Sequence, residues 1–400
     1  MVNVAVLGYG TVGSGIVEVI KTNQETVNQK AGQEINIKYV LDLREFPGDP
    51  VEKILVHDFE TILNDKEVDI VCEAMGGEHP AYDFAKQAIL AGKSVCTSNK
   101  EVVEKHGAEL LALAKEHNCN YMFEASVGGG IPIIRPLTHS LTPEKITSIT
   151  GILNGTTNYI LTKMEKEGSD FEEVLKQAQE LGYAERNPEA DVEGHDAGRK
   201  IAILSSLAFG KDVDFNDIYM EGITKISTQD FKYAKELGST IKLFGMSKEE
   251  NGKVYAMVAP FMVNQSNPLF AVSDVFNAIL VHGNAVGDTM YYGKGAGKLA
   301  TASAVVSDAI DCARHIGVHV AVQWSDEKLE IASVDGMARR FFVRTATTDK
   351  ANIAKAFGKV DFIDANIKGE TGFITETMTE ADFKERAEKD GHIISRIRLY

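Results

Sequence analysis

The first third of the chain alternates between two patterns of apolar residues. Short apolar runs predict buried strands, and the segments between them, with apolar residues every three or four positions, predict helices. This alternation is typical of a doubly wound parallel α/β sheet, which binds its ligands at the carboxyl ends of the strands. A polar loop is expected at residues 23–33. The predicted strands are residues 2–7, 35–41, 68–74, 93–98 and 120–124, and the predicted helices are residues 14–22, 79–91 and 101–117.

One helix in the middle of the chain carries charged residues in its first turns. Residues 192–209 have helical spacing, and Asp191 is expected to cap this helix because Pro188 ends any helix before it. Asp196 and Lys200 are four residues apart and therefore share a face. Such a pair is usually a surface ion pair worth about 0.2–0.5 kcal/mol.

A second interpretation of this pair rests on its surroundings. Apolar residues continue the same helix face below it, and Glu185, Asp191 and Glu193 add carboxylates above it. A lysine near carboxylates on a half-buried face can transfer a proton or anchor a substrate. Both hypotheses for Lys200 stay open at this point.

Composition restricts the class of protein. The chain has 400 residues, 44% of them apolar, with 42 basic and 58 acidic residues and a net charge of −16. The negative charge disfavours nucleic acid and anionic membranes as partners. The four cysteines lack metal-ligand spacing, and there is neither a basic leader nor a long apolar run. A cytoplasmic protein with reduced thiols is therefore expected.

The first predicted strand runs into the glycine pattern Gly8-Tyr-Gly10-Thr-Val-Gly13. Between a strand and a helix this pattern indicates a dinucleotide site, although a glycine-rich turn without a ligand is the alternative. Gly8 allows the tight turn, Gly10 lets the pyrophosphate approach the backbone, and Gly13 lets helix and strand pack closely. Thr11 and Val12 belong to the same loop.

Two further strand ends carry candidate cofactor contacts. Asp42 follows the second strand and is expected to bind the ribose hydroxyls, which favours NAD, whereas Arg44 could bind a 2′-phosphate and keeps NADP open. Lys100 follows another strand, where its charge could meet a carboxylate or the nicotinamide, or only solvent.

A run of three glycines follows Glu124. Such a turn presents backbone carbonyls that could hold a hard cation together with the Glu124 carboxylate. A flexible crossover into the next domain is the alternative. Further on, residues 154–158 form a polar segment between two patterned elements, as expected of a loop that contacts a substrate.

Five motifs in this order resemble the homoserine dehydrogenase family. The resemblance covers about residues 1–320 and implies NAD(P)-linked interconversion of L-aspartate 4-semialdehyde and L-homoserine, in the branch leading to threonine, methionine and isoleucine. The motifs are the three glycines, Asn99-Lys100, Glu124-Ala-Ser-Val-Gly-Gly-Gly-Ile-Pro132, Gly151-Ile-Leu-Asn-Gly-Thr-Thr-Asn-Tyr159, and the stretch from Gly182 to Lys200.

The resemblance also implies roles for individual residues. Lys200 resembles the acid/base lysine at the substrate oxygen, and Lys100 a second lysine of the pocket and cofactor site. An ammonium suffices for this chemistry because the cofactor carries the hydride, and no cysteine lies where it would be activated for acyl transfer. The implied homoserine contacts are Glu185, Asp191, Asp196 and Thr156, and the implied sodium ligands are Glu124 and the carbonyls of Val127, Gly129 and Ile131.

Three domains are expected. Residues 1–134, completed by about 284–320, form the dinucleotide-binding domain, and residues 135–283 an α+β domain for substrate binding and for dimerisation into a homodimer or homotetramer. Residues 338–400 have the order βαββαβ of a ferredoxin-like module and resemble an ACT domain, with a plain stability or dimerisation module as the alternative. Its loop at residues 345–352 has Asp349 but no glycine, so weak or no threonine binding is expected.

Two other functions remain possible from the sequence. One is a dinucleotide sensor without catalysis, and the other is a different semialdehyde or amino-acid dehydrogenase of the same fold. The presence of Lys100, Glu185, Asp196 and Lys200 together disfavours the sensor, because binding a dinucleotide alone does not require them.

Overall fold

The structure is a computed structural model that describes all 400 residues. The chain divides into two compact units, each made of three segments. Unit 1 comprises Met1–Glu144, Ala202–Asp214 and Gly293–Leu329, and unit 2 comprises Lys145–Ile201, Phe215–Tyr292 and Glu330–Tyr400. No helix combines the length and the apolar composition needed to cross a bilayer.

The first segment of the chain contains six strands and five helices. The strands are β1 Val2–Leu7, β2 Ile35–Leu41, β3 Leu55–Val56, β4 Val68–Glu73, β5 Ser94–Thr97 and β6 Tyr121–Met122. The helices are α1 Thr11–Thr22, α2 Gln24–Ala31, α3 Phe59–Leu63, α4 Ala81–Leu90 and α5 Lys100–Glu116.

These six strands form a parallel sheet in the order β3-β2-β1-β4-β5-β6. All six residues of β1 are buried, which explains why this strand reads as a nearly continuous apolar run. The order of the strands reverses between β1 and β4. The predicted doubly wound parallel sheet is thus confirmed.

The prediction of a polar loop at residues 23–33 is wrong, because α2 occupies most of this segment. Val27 and Ala31 lie four residues apart and are both buried, which is enough to hold a polar helix against the sheet. Gly32 ends the helix in the left-handed conformation at φ 73°. Only two of eight residues in α2 are buried, so its apolar stripe is too sparse to recognise in the sequence.

The rest of the chain contains fourteen strands and eight helices. The strands are β7 Ile146–Ile152, β8 Lys211–Asp212, β9 Tyr219–Met220, β10 Ser239–Glu250, β11 Lys253–Asn264, β12 Phe276–Gly283, β13 Gly287–Lys294, β14 Ser325–Lys328, β15 Ala338–Arg339, β16 Phe341–Thr345, β17 Val360–Ile363, β18 Thr371–Thr375, β19 Met378–Thr379 and β20 Ile393–Leu399. The helices are α6 Gly155–Glu167, α7 Phe171–Glu180, α8 Glu189–Val192, α9 His195–Phe209, α10 Thr228–Glu236, α11 Lys298–Arg314, α12 Lys350–Phe357 and α13 Glu380–Asp390.

Unit 2 is built on one sheet in the order β13-β12-β7-β10-β11-β20-β16-β18-β17, with β9 also paired to β11. The last four strands of this order come from the tail, where the predicted succession of strands and helices is found. The parallel pairing of β20 with β11 sets Arg398 opposite Phe261. The tail therefore continues the sheet of the middle of the chain, and only its short strands β15 and β19 pair separately.

Two local predictions in unit 2 are wrong. Residues 154–158 are not a loop, because α6 begins at Gly155 and Asn154 is its N-cap, accepting a hydrogen bond from Thr157 N at 2.8 Å. The helix expected at residues 192–209 is broken at Gly194, whose φ of 87° is left-handed. Asp191 therefore lies inside the short α8 and does not cap α9.

Candidate active site

A cleft of about 590 Å³ opens at the carboxyl end of the sheet in unit 1, a usual size for a ligand site. Its lining includes Gly8 after β1, Asp42 after β2 and Met75 after β4. Nucleotides bind open α/β sheets at the point where the strand order reverses, which here lies between β1 and β4.

The glycine motif fits a pyrophosphate at this place. A Cβ on Gly13 would lie 1.8 Å from the carbonyl oxygen of Gly8, so only glycine lets α1 pack against the turn after β1. A Cβ on Gly10 would meet nothing within 4 Å, so the approach to the backbone is open. Thr11 and Val12 begin α1, and the N–H groups of a first helical turn lack partners within the helix and attract anions.

Asp42 lines the cleft with its carboxylate fixed by several donors. Its two oxygens accept from Tyr9 N at 2.8 Å and Arg44 N at 3.0 Å, and the Arg44 guanidinium binds both oxygens at 2.8 and 2.9 Å. The hydrogen bond from the Arg44 side chain holds the pKa of Asp42 well below its usual range. Asp42 is therefore ionised. The Arg44 guanidinium, which could otherwise bind a 2′-phosphate, already forms an ion pair with it.

Lys100 is the first residue of α5 and follows a buried polar network at the ends of β4 and β5. Glu73 Oε2 accepts from the Thr97 hydroxyl, and Glu73 Oε1 accepts from Met75 N at 2.7 Å. The Thr97 hydroxyl in turn accepts from Asn99 N at 2.9 Å, and Asn99 caps α5. Burial raises the pKa of Glu73 to about 7 against these hydrogen bonds.

The acidic residues and the lysine of the middle motif come together in unit 2. Lys200 Nζ donates to Asp196 Oδ2 at 2.6 Å and to the carbonyl oxygen of Leu153 at 2.8 Å. The Asn154 amide donates to Asp191 Oδ1 at 2.7 Å and to Asp196 Oδ2 at 2.9 Å. Lys200 and Asp196 are only 9% and 6% exposed. The pair is therefore buried, and the surface ion pair that the spacing alone favours is ruled out.

The two other predicted substrate contacts lie differently. The Thr156 hydroxyl donates to the carbonyl oxygen of Tyr183 at 2.7 Å and so ties α6 to the loop before α8. Glu185 lies in that loop with its side chain exposed, while its carbonyl oxygen accepts from Gln179 Nε2 at 3.0 Å. The fold thus uses the Thr156 hydroxyl internally and leaves the Glu185 carboxylate exposed.

Glu124 is buried at the turn that was expected to hold a cation. Its carboxylate accepts from three successive backbone groups, Ile133 N at 2.6 Å, Ile134 N at 2.8 Å and Arg135 N at 2.8 Å. No backbone N–H group donates to the carbonyl oxygens of Val127, Gly129 and Ile131. The carboxylate of Glu124 therefore organises the backbone of this turn.

Asn154 was predicted only as part of the polar segment at residues 154–158, and the carbonyl of Leu153 was not predicted as a site group. The available signal was the order Asn154-Gly-Thr-Thr, in which an asparagine before a helix marks an N-cap. An N-cap asparagine uses its side-chain oxygen for the helix and keeps its amide for another acceptor. Here that amide joins two carboxylates, 37 and 42 residues further along the chain.

Comparison with known proteins assigns the chain to a family. The profile of the homoserine dehydrogenase NAD-binding domain matches residues 8–124, and the homoserine dehydrogenase profile matches residues 132–310. Homoserine dehydrogenase of Bacillus subtilis is 40% identical over 404 residues, covering 96% of this chain and 93% of its own. Homoserine dehydrogenase of Neisseria gonorrhoeae is 39% identical, with 99% and 94% covered.

Solved structures agree with the sequence comparison. A homoserine dehydrogenase from Thiobacillus denitrificans has a TM-score of 0.90 at 35% identity, with 100% of this chain and 98% of that chain covered. A hyperthermophilic archaeal homoserine dehydrogenase in complex with NADPH has a TM-score of 0.64 at 27% identity, with 78% and 97% covered. The chain therefore belongs to the homoserine dehydrogenase family, the NAD(P)-dependent oxidoreductases that interconvert L-aspartate 4-semialdehyde and L-homoserine.

Proposed function

We propose that Lys200 is the acid/base group of this homoserine dehydrogenase and that Asp196 and Asn154 position it. The observation that carries the proposal is the fixed ammonium, with two acceptors at 2.6 and 2.8 Å on a side chain that is 9% exposed. A buried charge held in one place transfers a proton without reorganising its surroundings.

The chemistry of the reaction needs only this one proton transfer from the protein. Bound NAD(P) supplies the hydride to the aldehyde carbon or accepts it from the alcohol. When the aldehyde is reduced, the electron pair of the C=O bond moves to oxygen, and Lys200 gives that oxygen its proton. In the opposite direction Lys200 accepts the proton of the homoserine hydroxyl.

The carboxylates near Lys200 suit the other end of the substrate. Homoserine carries an ammonium group at neutral pH, and Asp191 and Glu185 offer carboxylates that can bind it. The amide of Asn154 holds Asp191 at 2.7 Å, whereas Glu185 is exposed. We propose Asp191 as the fixed contact, Glu185 as an exposed one, and Lys100, whose role the family resemblance implies, as a further contact.

The test of this assignment is turnover by site variants. Homoserine-dependent reduction of each cofactor is followed by nicotinamide absorbance for wild-type, Lys200→Ala and Asp191→Asn enzymes. Lys200→Ala should lose turnover, and Asp191→Asn should chiefly raise the KM for homoserine. Wild-type turnover by Lys200→Ala would reject the proposal.

We infer a preference for NAD over NADP. The ionised Asp42 can accept from a ribose 2′-hydroxyl and repels a 2′-phosphate, although Arg44 could leave Asp42 and bind the phosphate. The Arg44→Ala variant separates the two effects, because it should raise the KM for NADPH and leave that for NADH nearly unchanged. A wild-type KM for NADPH well below that for NADH would overturn the preference.

We also propose that the turn after Glu124 binds a monovalent cation such as Na⁺. The support is that the carbonyls of Val127, Gly129 and Ile131, which follow the buried Glu124 along the chain, accept no hydrogen bond from the backbone. Activity and thermal midpoint measured in NaCl and in tetramethylammonium chloride of equal ionic strength test this proposal. Identical values in both salts would reject it.

We propose that the enzyme is a homodimer or homotetramer. We also propose that its tail binds threonine weakly or not at all. Asp349, the acidic residue of the tail loop, already accepts from Ala351 N and Asn352 N as the cap of α12. Its carboxylate is thus engaged by the backbone. Strong inhibition by sub-millimolar threonine would contradict this expectation.

A further inference from the structure

We propose that Glu221 is a positioning residue of the enzyme and that the C-terminal strand holds the acidic loop, defined as residues 185–196, through it. This inference rests on the roles proposed above for Asp191, Asp196 and Lys200. Glu221 follows β9 and belongs to a short segment, residues 219–224, that lies between the acidic loop and the tail within unit 2.

On one side this segment is joined to the acidic loop. Ile223 N donates to the carbonyl oxygen of Val192 at 2.8 Å, and the Thr224 hydroxyl donates to Glu193 Oε1 at 3.0 Å. A Cβ on Gly222 would lie 2.2 Å from the same Val192 oxygen, so no side chain fits between the two backbones. The segment and the loop therefore cannot shift independently.

The same segment also reaches the first turn of α9. A Cβ on Gly198 would lie 2.9 Å from Met220 Sδ, so β9 packs directly against the helix that carries Asp196 and Lys200. Met220 is in turn fixed to the main sheet by the pairing of β9 with β11, where it lies opposite Val258. A displacement of β9 would therefore be passed to the proposed acid/base pair.

On its other side the segment is fixed to the tail by charge. Glu221 Oε2 accepts from Arg398 Nη1 at 2.7 Å and from the Tyr219 hydroxyl at 3.0 Å, with Arg396 Nη2 at 3.5 Å. Arg398 is fully buried and also binds the carboxylate of Glu380. The last strand thus places two guanidinium groups against the carboxylate of Glu221, and the residues that follow Glu221 contact the acidic loop.

Glu221 stays charged in this surrounding. Burial by itself would raise its pKa, but the charges of Arg398 and Arg396 and the hydrogen bonds from Arg398 and Tyr219 lower it below its usual value. A buried guanidinium needs a carboxylate of fixed position, and a fixed carboxylate in turn determines where its backbone lies. This is why a residue that does not touch the substrate can determine the position of residues that do.

The experiment compares two size-conserving variants of the full-length enzyme. Glu221→Gln removes the charge that meets Arg398, and Glu370→Gln, the matched control, removes a charge that meets Arg344 elsewhere in the tail at the same distance of 2.7 Å. Glu370 lies outside the segment that contacts the acidic loop. The KM for homoserine, the KM for the cofactor and kcat per folded protein are measured for each.

We expect Glu221→Gln to raise the KM for homoserine by about tenfold and to change the cofactor KM less than twofold. Glu370→Gln should leave both values at those of the wild type. A merely structural role for Glu221 would lower the yield of folded enzyme and leave the KM of the folded fraction unchanged, so an unchanged KM for homoserine overturns the inference.

Thr224→Val provides a second variant if Glu221→Gln does not fold. It keeps the arginine cluster intact and removes only the hydrogen bond to Glu193, so it should raise the KM for homoserine. A wild-type KM would overturn the inference.

The proposed acid/base role is tested separately. If Lys200→Ala has no turnover while Glu221→Gln and Thr224→Val have wild-type KM values, only the inference about Glu221 is rejected. Full turnover by Lys200→Ala would reject the acid/base role, and the KM for homoserine would still decide whether the loop is positioned through Glu221.

Discussion

Replacing Lys200 by alanine is the most informative single change in this enzyme. The variant loses the ammonium that Asp196 and the carbonyl of Leu153 hold at 2.6 and 2.8 Å. A positioned proton donor typically contributes a factor of about 10²–10⁴ to the rate. We therefore expect kcat to fall by at least about 10², equivalent to about 2.7 kcal/mol in the activation free energy.

The same change should also lower the free energy of unfolding. Asp196 is 6% exposed and loses the Lys200 ammonium, while it keeps the hydrogen bond from the Asn154 amide at 2.9 Å. Removing one partner of a buried ion pair typically costs about 3–5 kcal/mol. Turnover must therefore be referred to the fraction of protein that is folded, measured by urea unfolding under the assay conditions.

An exposed pair of the same spacing provides the control. Lys163 and Glu167 are also four residues apart and form an ion pair at 2.6 Å, but their side chains are 28% and 44% exposed. Lys163→Ala should cost less than about 1 kcal/mol and leave kcat unchanged. Near-normal turnover of homoserine by folded Lys200→Ala would refute the assignment, whereas normal NADH binding with lost turnover would support it.

Three further changes test other parts of the structure. Asn154→Ala should lower kcat/KM for homoserine by about 10–10², because the amide positions two carboxylates, and unfolding by urea should show the loss of about 1 kcal/mol expected for an N-cap; an unchanged kcat/KM would contradict this. For Glu73 the pKa of about 7 in the folded state is above the usual value, so the wild type loses stability as the pH rises from about 4.5 to 7. Glu73→Gln cannot ionise, and its stability relative to the wild type should grow by up to about 3 kcal/mol across that window in urea titrations, whereas a constant difference would argue against the raised pKa. Glu124→Gln exchanges one accepting oxygen for an amide and should cost about 1.5–3 kcal/mol, again by urea unfolding; a cost below 0.5 kcal/mol, on the order of a surface change, would contradict the role of the three N–H contacts.

Local patterns in the sequence were sufficient for the elements that bury themselves in a regular way. The strand β1 is a nearly continuous apolar run because both of its faces are covered, and β1 and β2 lie at their predicted bounds. The glycine motif could be interpreted because strand, turn and helix follow each other without interruption. The succession of elements in the tail was also predictable, because each of its helices is preceded by a polar cap, Asp349 or Thr379.

Features that depend on contacts between distant residues could not be predicted. The helix α2 has too few buried positions to show a period, and the partners of Asn154 and Thr156, which are Asp191 and Tyr183, lie elsewhere in unit 2. The spacing of Asp196 and Lys200 showed that they share a face, but equally fitted a surface ion pair. Whether that face is buried is decided by the segments that pack on it.

The sequence by itself therefore determined the alternation of strands and helices in the first segment of unit 1, the place of the cofactor motif and the shared face of Asp196 and Lys200, since each depends on spacing within a short stretch of chain. The tertiary structure decided that the pair is buried, that Asn154 joins Asp191 to Asp196, and that Arg398 binds Glu221 across 177 residues. The physical reason is that strand pairing determines which distant residues come close enough to form hydrogen bonds and ion pairs. The pairing of β20 with β11 is such a choice, and no periodicity in either strand specifies it.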